Sequence, residues 1–309
     1  MPPARIVLAY RVGARVARRV PAPIGRVLVA VAARLARRAM PERVAQVRLH
    51  QLRLARQPLS PEQLEQRVSA NLRSYCNYWF QSLRLIGIGT TEILDHIEID
   101  GQHHADAALA AGRGAICVMP HVGLWDLGGA WLGSRYPLSV VAERLAPPEL
   151  FDWFVGMRAA NGMEVVALGD DDAGQRLLER LRSGGFVGLL TDRDINHDGI
   201  PVMFFGEMTT MSAGPATLAL RTGAPLLPTA VFNRPGRRAL GVIRPPIMFE
   251  RVGRLRDDVA ALTQLVAMSL EALISEAPEQ WHVLQPLWPS DPGYRETRSV
   301  RDGSTPASA

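Results

Sequence analysis

Apolar residues follow two patterns along this chain. From about residue 95 onward, short apolar runs predict strands over 96–99, 115–119, 138–142, 164–167, 186–190, 226–232 and 240–243. Between these runs, apolar positions at helical spacing predict helices over 104–111, 125–133, 148–161, 173–183, 213–222 and 257–275. Strands that alternate with helices indicate an α/β fold with a mixed, largely parallel central sheet flanked by helices.

The chain before this region shows helical spacing only. Ser60, Pro61 and Glu62 form a typical helix start, and a helix is predicted over 61–86. Further upstream, after a break at 21–23, one helix face carries an apolar stripe formed by Ile24, Leu28, Val31 and Leu35. The sequence therefore predicts N-terminal amphipathic helices in front of the α/β part.

Charge changes the interpretation of these first helices. The chain has a net charge of +5, and residues 1–60 contain thirteen of its 35 basic residues but a single acid, Glu42. Basic amphipathic helices lie in lipid headgroup layers, with arginines on the phosphates. The longest apolar stretch of the segment, 27–33, is far shorter than the roughly 20 residues that span a bilayer. We therefore predict a peripheral arm that binds an anionic membrane.

Two other interpretations of this N-terminal segment remain open. It can be an ordinary surface helix pair packed on its own domain, or a nucleic-acid-binding segment. The second is disfavoured because the segment lacks interleaved aromatic residues and no DNA-binding motif follows it. We accordingly divide the chain into a basic membrane-binding arm over 1–56, an α/β domain over 57–289 and a flexible tail over 290–309.

Cysteine usage excludes some site types. The chain has two cysteines, Cys76 and Cys117, without the short spacing of a disulfide framework or a zinc–thiolate site. This usage fits a reducing compartment. We predict no metal site.

His121 follows directly after the carboxyl end of a predicted strand. In parallel sheets, ligands bind beyond the carboxyl ends of the strands. Gly123 permits a tight turn, and Asp126 follows at the start of the next helix. Across such a junction the carboxylate can fold back onto the imidazole, fix its tautomer and leave the other ring nitrogen as a base. No serine or cysteine nucleophile is nearby, so the pair suits direct attack by a substrate hydroxyl. A histidine that merely caps a strand end is the structural alternative.

Charged residues also follow other predicted strands. Asp192, Arg193 and Asp194 come directly after a buried strand, where charges are costly unless they reach solvent or a site. A salt-bridged loop is the alternative. Glu143 follows another strand, with Arg158 on the next helix. The stretch 204–215, which includes Glu207, is interpreted as a loop that leads into a helix capped by Ser212.

Several motifs occur together in this order. They are His-x4-Asp at 121–126, Val-Ala-Glu-Arg-Leu at 141–145, Asp-Arg-Asp at 192–194, Phe-Phe-Gly-Glu at 204–207 and Gly-Pro-Ala at 214–216. Over about residues 65–290 the chain resembles the bacterial lipid A late acyltransferases of the lauroyl and myristoyl type. The resemblance is strongest to the actinobacterial branch that acylates phosphatidylinositol mannosides. One departure is Leu124, where members usually carry Asn.

The resemblance implies transfer of a fatty acyl group from acyl-CoA or acyl carrier protein to a sugar hydroxyl of a membrane glycolipid such as a phosphatidylinositol mannoside. It implies His121 as the base, Asp126 as its partner, Asp192 near the acceptor sugar, and substrate binding by Glu143, Arg158, Arg193 and Glu207. It implies no cofactor besides the acyl-CoA co-substrate. We expect a monomer on the cytoplasmic face of the plasma membrane that binds no nucleic acid. The alternatives are a thioesterase with the same dyad, a lipid A-type acceptor, or a non-catalytic binding protein.

Overall fold

The computed structural model describes residues 3–85 and 88–294, apart from the side chains of residues 3, 4 and 90. Four helices come first: α1 (Pro3–Arg19), α2 (Ala22–Ala39), α3 (Pro41–Arg53) and α4 (Pro61–Arg84). Prolines near the starts of α2, α3 and α4 suit the first helical turn, where their missing N–H costs nothing. Ser60 and Gln63 form a reciprocal capping box that fixes the start of α4.

The central sheet has seven strands: β1 (Ile97–Asp100), β2 (Ala115–Met119), β3 (Leu138–Ala142), β4 (Met163–Ala167), β5 (Phe186–Leu190), β8 (Leu226–Phe232) and β9 (Ala239–Ile243). Their order across the sheet is β1-β9-β8-β2-β5-β3-β4. The pair β8–β9 is antiparallel, and all other neighbours are parallel. The predicted mixed, largely parallel α/β fold is confirmed.

Helices cover both faces of this sheet. They are α5 (Thr90–His96), α6 (Gln102–Ala110), α7 (Trp125–Gly133), α8 (Pro148–Ala160), α9 (Ala173–Arg182), α10 (Gly214–Thr222) and α11 (Leu255–Glu276), followed by a short 3-10 turn at Pro278–Gln280. Strands β2 and β8 are buried along their whole length. This two-sided burial explains their continuous apolar sequences.

Helix α11 is the one described helix that is long and apolar enough to cross a membrane by length and composition. Half of its most apolar stretch is buried inside the protein. Leu262, Val266 and Leu270 belong to the largest core cluster, and the helix packs on β2 and β8. These contacts assign it to the core.

A separate antiparallel hairpin, β6 (Ile200–Phe204) and β7 (Glu207–Met211), replaces the loop predicted there. Its turn residues Phe205 and Gly206 both have positive φ, at 48° and 80°. Two-residue turns of this kind usually carry Asn-Gly or Asp-Gly. Phenylalanine at the first position removes the sequence signal that would have revealed the hairpin.

Neither predicted domain boundary coincides with a break in packing. In α3, Val47 and His50 are each 1% exposed, so the last part of the predicted arm belongs to the folded body. At the other end, Asp291 is buried and accepts hydrogen bonds from the backbone N–H groups of Leu287 and Trp288. The rest of the predicted tail, 295–309, lies outside the described residues.

Candidate active site

The register of two neighbouring strands brings His121 and Asp192 together. Met119 of β2 pairs with Leu190 of β5 at the carboxyl ends of both strands. The backbone N–H of Thr191 then donates to the carbonyl of Met119 at 3.0 Å. His121 lies two residues beyond Met119, and Asp192 lies two residues beyond Leu190. The two residues are therefore side by side.

Asp192 holds His121 by two hydrogen bonds, one to the imidazole and one to the backbone N–H. Nδ1 of His121 lies 2.6 Å from Oδ1 of Asp192, and the backbone N–H of His121 donates to Oδ2 at 2.8 Å. The indole N–H of Trp281 donates to the same Oδ2 at 2.7 Å. Because a carboxylate only accepts, these contacts assign the ring proton to Nδ1 and leave Nε2 as the base.

Asp192 is fully buried, whereas the His121 side chain is 15% exposed. Burial alone would raise the pKa of the Asp192 carboxyl. The charge of His121 and the hydrogen bonds from His121 and Trp281 outweigh burial and hold this pKa below its ordinary value. Asp192 is therefore an anion at neutral pH and can stabilise a positive imidazole.

A tight turn after His121 depends on Gly123. Its φ is +64°, and a Cβ atom there would lie 2.0 Å from the carbonyl oxygen of Val231. The N–H of Leu124 donates to this carbonyl at 2.8 Å, and the N–H of Gly123 donates to the carbonyl of Gln280 at 3.0 Å. The turn is thus fixed to β8 on one side and to the segment 278–282 on the other.

The segment 278–282 completes the surroundings of the dyad. Besides Trp281, the backbone N–H of His282 donates to the carbonyl of His121 at 2.8 Å. Nε2 of His282 lies 2.9 Å from Oγ of Ser74, whereas its Nδ1 has no hydrogen-bond partner in the described chain. Burial, together with the charge of His121, lowers the pKa of His282 to about 3. His282 is therefore a neutral neighbour of the dyad.

The structure corrects the predicted partner of His121. Both carboxylate oxygens of Asp126 bond elsewhere: Oδ1 accepts from Nε and Nη2 of Arg158 at 3.2 and 3.1 Å. Oδ2 accepts from the hydroxyls of Tyr78 at 2.7 Å and Ser82 at 3.1 Å. Helix α7 starts at Trp125, so the Trp125 ring packs against His121 while Asp126 points towards α4 and α8. A catalytic role for Asp126 stays a prediction.

Asp126, Arg158 and Tyr78 form a buried charged cluster. Burial alone would lower the pKa of Arg158, but the neighbouring Asp126 and Tyr78 raise it above its ordinary value. Burial and then the Asp126 charge raise the pKa of the Tyr78 hydroxyl well above its ordinary value. The cluster therefore holds one ion pair and a neutral phenol, and it ties α4, α7 and α8 together.

A cavity of about 380 Å³ opens beside His121 and Trp125. Small-molecule sites are of this size and are mostly apolar. The apolar side chains on its wall include Val141, Leu145, Phe154, Leu168, Leu177, Leu189 and Leu218. Such a lining suits an extended hydrocarbon chain.

Three of the predicted substrate-binding residues line this cavity: Glu143, Arg158 and Arg193. Glu143 and Arg193 also line an adjoining cavity of about 320 Å³. Glu207 lines neither cavity. It pairs with Arg53 at 2.6 Å and accepts hydrogen bonds from Ser290, so it connects β7 with α3 and with the C-terminal segment. A contact of Glu207 with the substrate stays a prediction.

Two residues singled out in the sequence lie away from the reacting centre. Leu124 is buried in the apolar cluster on the α7 side of the sheet and does not line the cavity of His121. Cys117 is fully buried, and burial raises the pKa of its thiol to about 12. Within the described residues, no group of three or more His, Cys, Asp and Glu side chains could hold a metal ion.

Sequence reasoning missed the contacts of Trp281, His282 and Tyr78. These residues lie far from His121 along the chain, and no spacing rule links them to it. The one available signal was Trp-His at 281–282, a polar-aromatic pair that follows the last long helix by a few residues. Together the residues form a base, its anionic partner and an apolar cavity, which is the arrangement needed to transfer an apolar group to a nucleophile.

Comparison with known proteins agrees with this chemistry. Residues 1–290 match the family described as bacterial lipid A biosynthesis acyltransferase. A phosphatidylinositol mannoside acyltransferase of Mycobacterium tuberculosis is 41% identical over 227 residues, which cover 72% of this chain and 70% of that protein. The enzyme of the same name from Mycolicibacterium smegmatis is 35% identical over 290 residues, covering 92% and 91%. The resemblance seen in the motifs is confirmed: the chain belongs to the bacterial lipid A biosynthesis acyltransferase family and is an acyltransferase.

Proposed function

We propose that this acyltransferase moves a fatty acyl group from a thioester, acyl-CoA or acyl carrier protein, to a sugar hydroxyl of a membrane glycolipid. The observation that carries the proposal is the His121–Asp192 pair beside a largely apolar cavity. The names of the two relatives support a phosphatidylinositol mannoside as the acceptor.

In the proposed mechanism the acyl chain occupies the cavity and its thioester carbonyl lies near His121. Nε2 of His121 takes the proton of the acceptor hydroxyl while the hydroxyl oxygen bonds to the carbonyl carbon. Asp192 stabilises the imidazolium that forms. The tetrahedral intermediate then breaks its C–S bond, and the imidazolium returns the proton to the departing thiolate, so that an ester and a free thiol result.

The negative oxygen of the intermediate needs hydrogen-bond donors. The backbone N–H groups of residues 121–124 already donate to Asp192, Pro120, Gln280 and Val231. Arg158 and Arg193 line the cavity and have N–H groups to spare, because Arg158 uses two of its nitrogens on Asp126 and Arg193 has no carboxylate partner among the described residues. We therefore assign this task to an arginine of the cavity wall.

The acceptor is a lipid, so the enzyme must reach a membrane surface. In α1 and α2 the apolar residues Leu8, Val12, Val16, Ile24, Val27, Leu28, Val31 and Leu35 are exposed. Arginines flank them on both helices. This pattern supports peripheral binding to the anionic cytoplasmic face of the plasma membrane.

Transfer of labelled palmitate from its CoA ester tests the reaction. We expect labelled glycolipid when phosphatidylinositol mannosides are supplied, and a loss of about 10²–10⁴-fold in His121→Ala. His103→Ala, which removes an exposed histidine of α6, serves as the control. Release of free palmitate at the same rate with and without the glycolipid would overturn the proposal in favour of a thioesterase.

A further inference from the structure

Helix α4 has a cavity on each of two sides. Tyr78 and Trp79 line the cavity of His121, whereas Asn77, Phe80 and Gln81 line a separate cleft. This second cleft has a volume of about 610 Å³ and lies between α2, α4 and the turn that joins β8 to β9. The proposed reaction makes no use of it.

The cleft is strongly basic. Its walls carry five arginines and one carboxylate, Glu279; the arginines are Arg26, Arg73, Arg84, Arg234 and Arg237. Arg234 pairs with Glu98 at 2.6 Å, and Arg84 donates to the carbonyl of Val20 at 3.2 Å.

The guanidinium groups of Arg26, Arg73 and Arg237 pair with no carboxylate within the described part of the chain. They come from three elements that are distant in sequence, which the fold brings to one concavity. Like charges gathered around one space without acidic partners favour an anion there, and the planar guanidinium matches phosphate oxygens. Asn77 and Asn233 add amide groups that can bond hydroxyls next to such a phosphate.

The position of the cleft indicates where the phosphate comes from. Helix α2 exposes Ile24, Leu28 and Val31 on its outer side, while its Arg26 and Val29 line the cleft. When the exposed apolar residues enter the boundary between headgroups and acyl chains, the cleft beside them lies at the depth of the lipid phosphates. A free phosphate would not need this neighbourhood.

We propose that the cleft between α2, α4 and the β8–β9 turn binds the phosphate-bearing headgroup of an anionic phospholipid, separately from the acyl-transfer site. The proposal rests on the proposed membrane association. Such a site adds a point of attachment beside the apolar faces of α1 and α2 and thereby restricts the tilt of the enzyme on the bilayer.

Calorimetric titration with monomeric dihexanoyl phosphatidylglycerol, below its micelle concentration, tests the site without a membrane. The cleft variant is Arg26→Ala/Arg73→Ala/Arg237→Ala. The matched control is Arg11→Ala/Arg15→Ala/Arg34→Ala, which removes the same charge from exposed positions outside the cleft. We expect the cleft variant to bind at least about tenfold more weakly, and the control to bind within about twofold of wild type. A thermal unfolding midpoint equal to that of the wild type establishes that each variant is folded.

Other outcomes overturn the assignment. If both variants bind the lipid equally weakly, binding depends on the general surface charge and not on the cleft. Inorganic phosphate that binds as tightly as the lipid means a free-anion site. Equal binding of dihexanoyl phosphatidylcholine removes the preference for anionic lipid, and stronger binding of an RNA oligonucleotide replaces the lipid by nucleic acid. His121→Ala should bind the probe like wild type, so failure of the acyl transfer and failure of this site are measured separately.

Discussion

Two buried carboxylates near the turn at His121, Asp192 and Asp126, have different hydrogen-bond partners. Asp192 accepts from His121 and Trp281, so its charge acts on the base. Asp126 accepts from Arg158, Tyr78 and Ser82, so its charge acts on the contact between helices. Removal of either charge should therefore affect a different property.

Asp192→Asn should lower kcat by about 10²–10⁴-fold, because an amide no longer enforces the Nδ1 tautomer or stabilises the imidazolium. Asp192→Glu keeps the anionic acceptor and should retain more activity than the amide. Steady-state transfer of palmitate checks both variants. Wild-type kcat in Asp192→Asn would rule out the dyad.

Arg158→Met should lower the free energy of unfolding by about 3–5 kcal/mol, because it leaves the Asp126 charge buried and unpaired. Asp126→Asn in the same protein should recover most of that loss. A double-mutant cycle in urea measures the coupling. Additive losses would contradict the ion pair.

His282 should make stability depend on pH. Its folded pKa of about 3 lies below the ordinary histidine value of about 6.5, so the unfolded chain binds more protons between these values. The contribution of His282 to the free energy of unfolding should be constant above about pH 6.5. Below that pH it should fall by about 1.4 kcal/mol per pH unit, down to about pH 3. His282→Gln should lose about 2 kcal/mol less than wild type between pH 6.5 and 5 in denaturant titrations. Parallel pH curves for the two proteins would refute this.

At the scale of elements, the site depends on the order of the strands across the sheet, which knowing where each strand lies in the sequence does not provide. The sequence predicted β2 and β5 within their observed bounds, and it marked His121 and Asp192 at their ends. It did not predict that β2 and β5 are neighbours, because β3 and β4 lie between them in the chain but at one edge of the sheet. For this reason spacing alone favoured Asp126, five residues away, over Asp192, which is 71 residues away.

The turn at Gly123 offers a test at this scale. Gly123→Ala should be much more destabilising than Gly112→Ala, although both glycines have similar positive φ values of 64° and 66°. A Cβ at Gly112 meets nothing within 4 Å, so that change should cost only about 1–2 kcal/mol of backbone strain. At Gly123 the Val231 carbonyl must move, which should also displace His121 and lower kcat. Equal unfolding free energies for the two variants would contradict the close approach.

At the scale of the whole molecule, the first two helices present their apolar residues outward while α3 is packed into the body. Leu28→Glu/Val31→Glu/Leu35→Glu should reduce binding to vesicles of anionic phospholipid by more than about tenfold. Met248→Glu/Val252→Glu/Met268→Glu changes the charge equally at exposed apolar positions elsewhere and should bind like wild type. Vesicle flotation measures both, and equal loss would show that charge alone, and not the α2 stripe, matters.

The contacts made by residues 278–282 have a consequence for the order in which the enzyme is made. Among the described residues, every strand and α-helix precedes this segment, yet Trp281 holds Asp192, and Gln280 and His282 hold the turn of His121. Because domains are synthesised from the N-terminus, a nascent chain that has just completed α11 already contains the base and its carboxylate but not the residues that lock them together. Catalytic competence is thus acquired only once residues 278–282 have been synthesised and have packed against the dyad, later than every residue that lines the cavity.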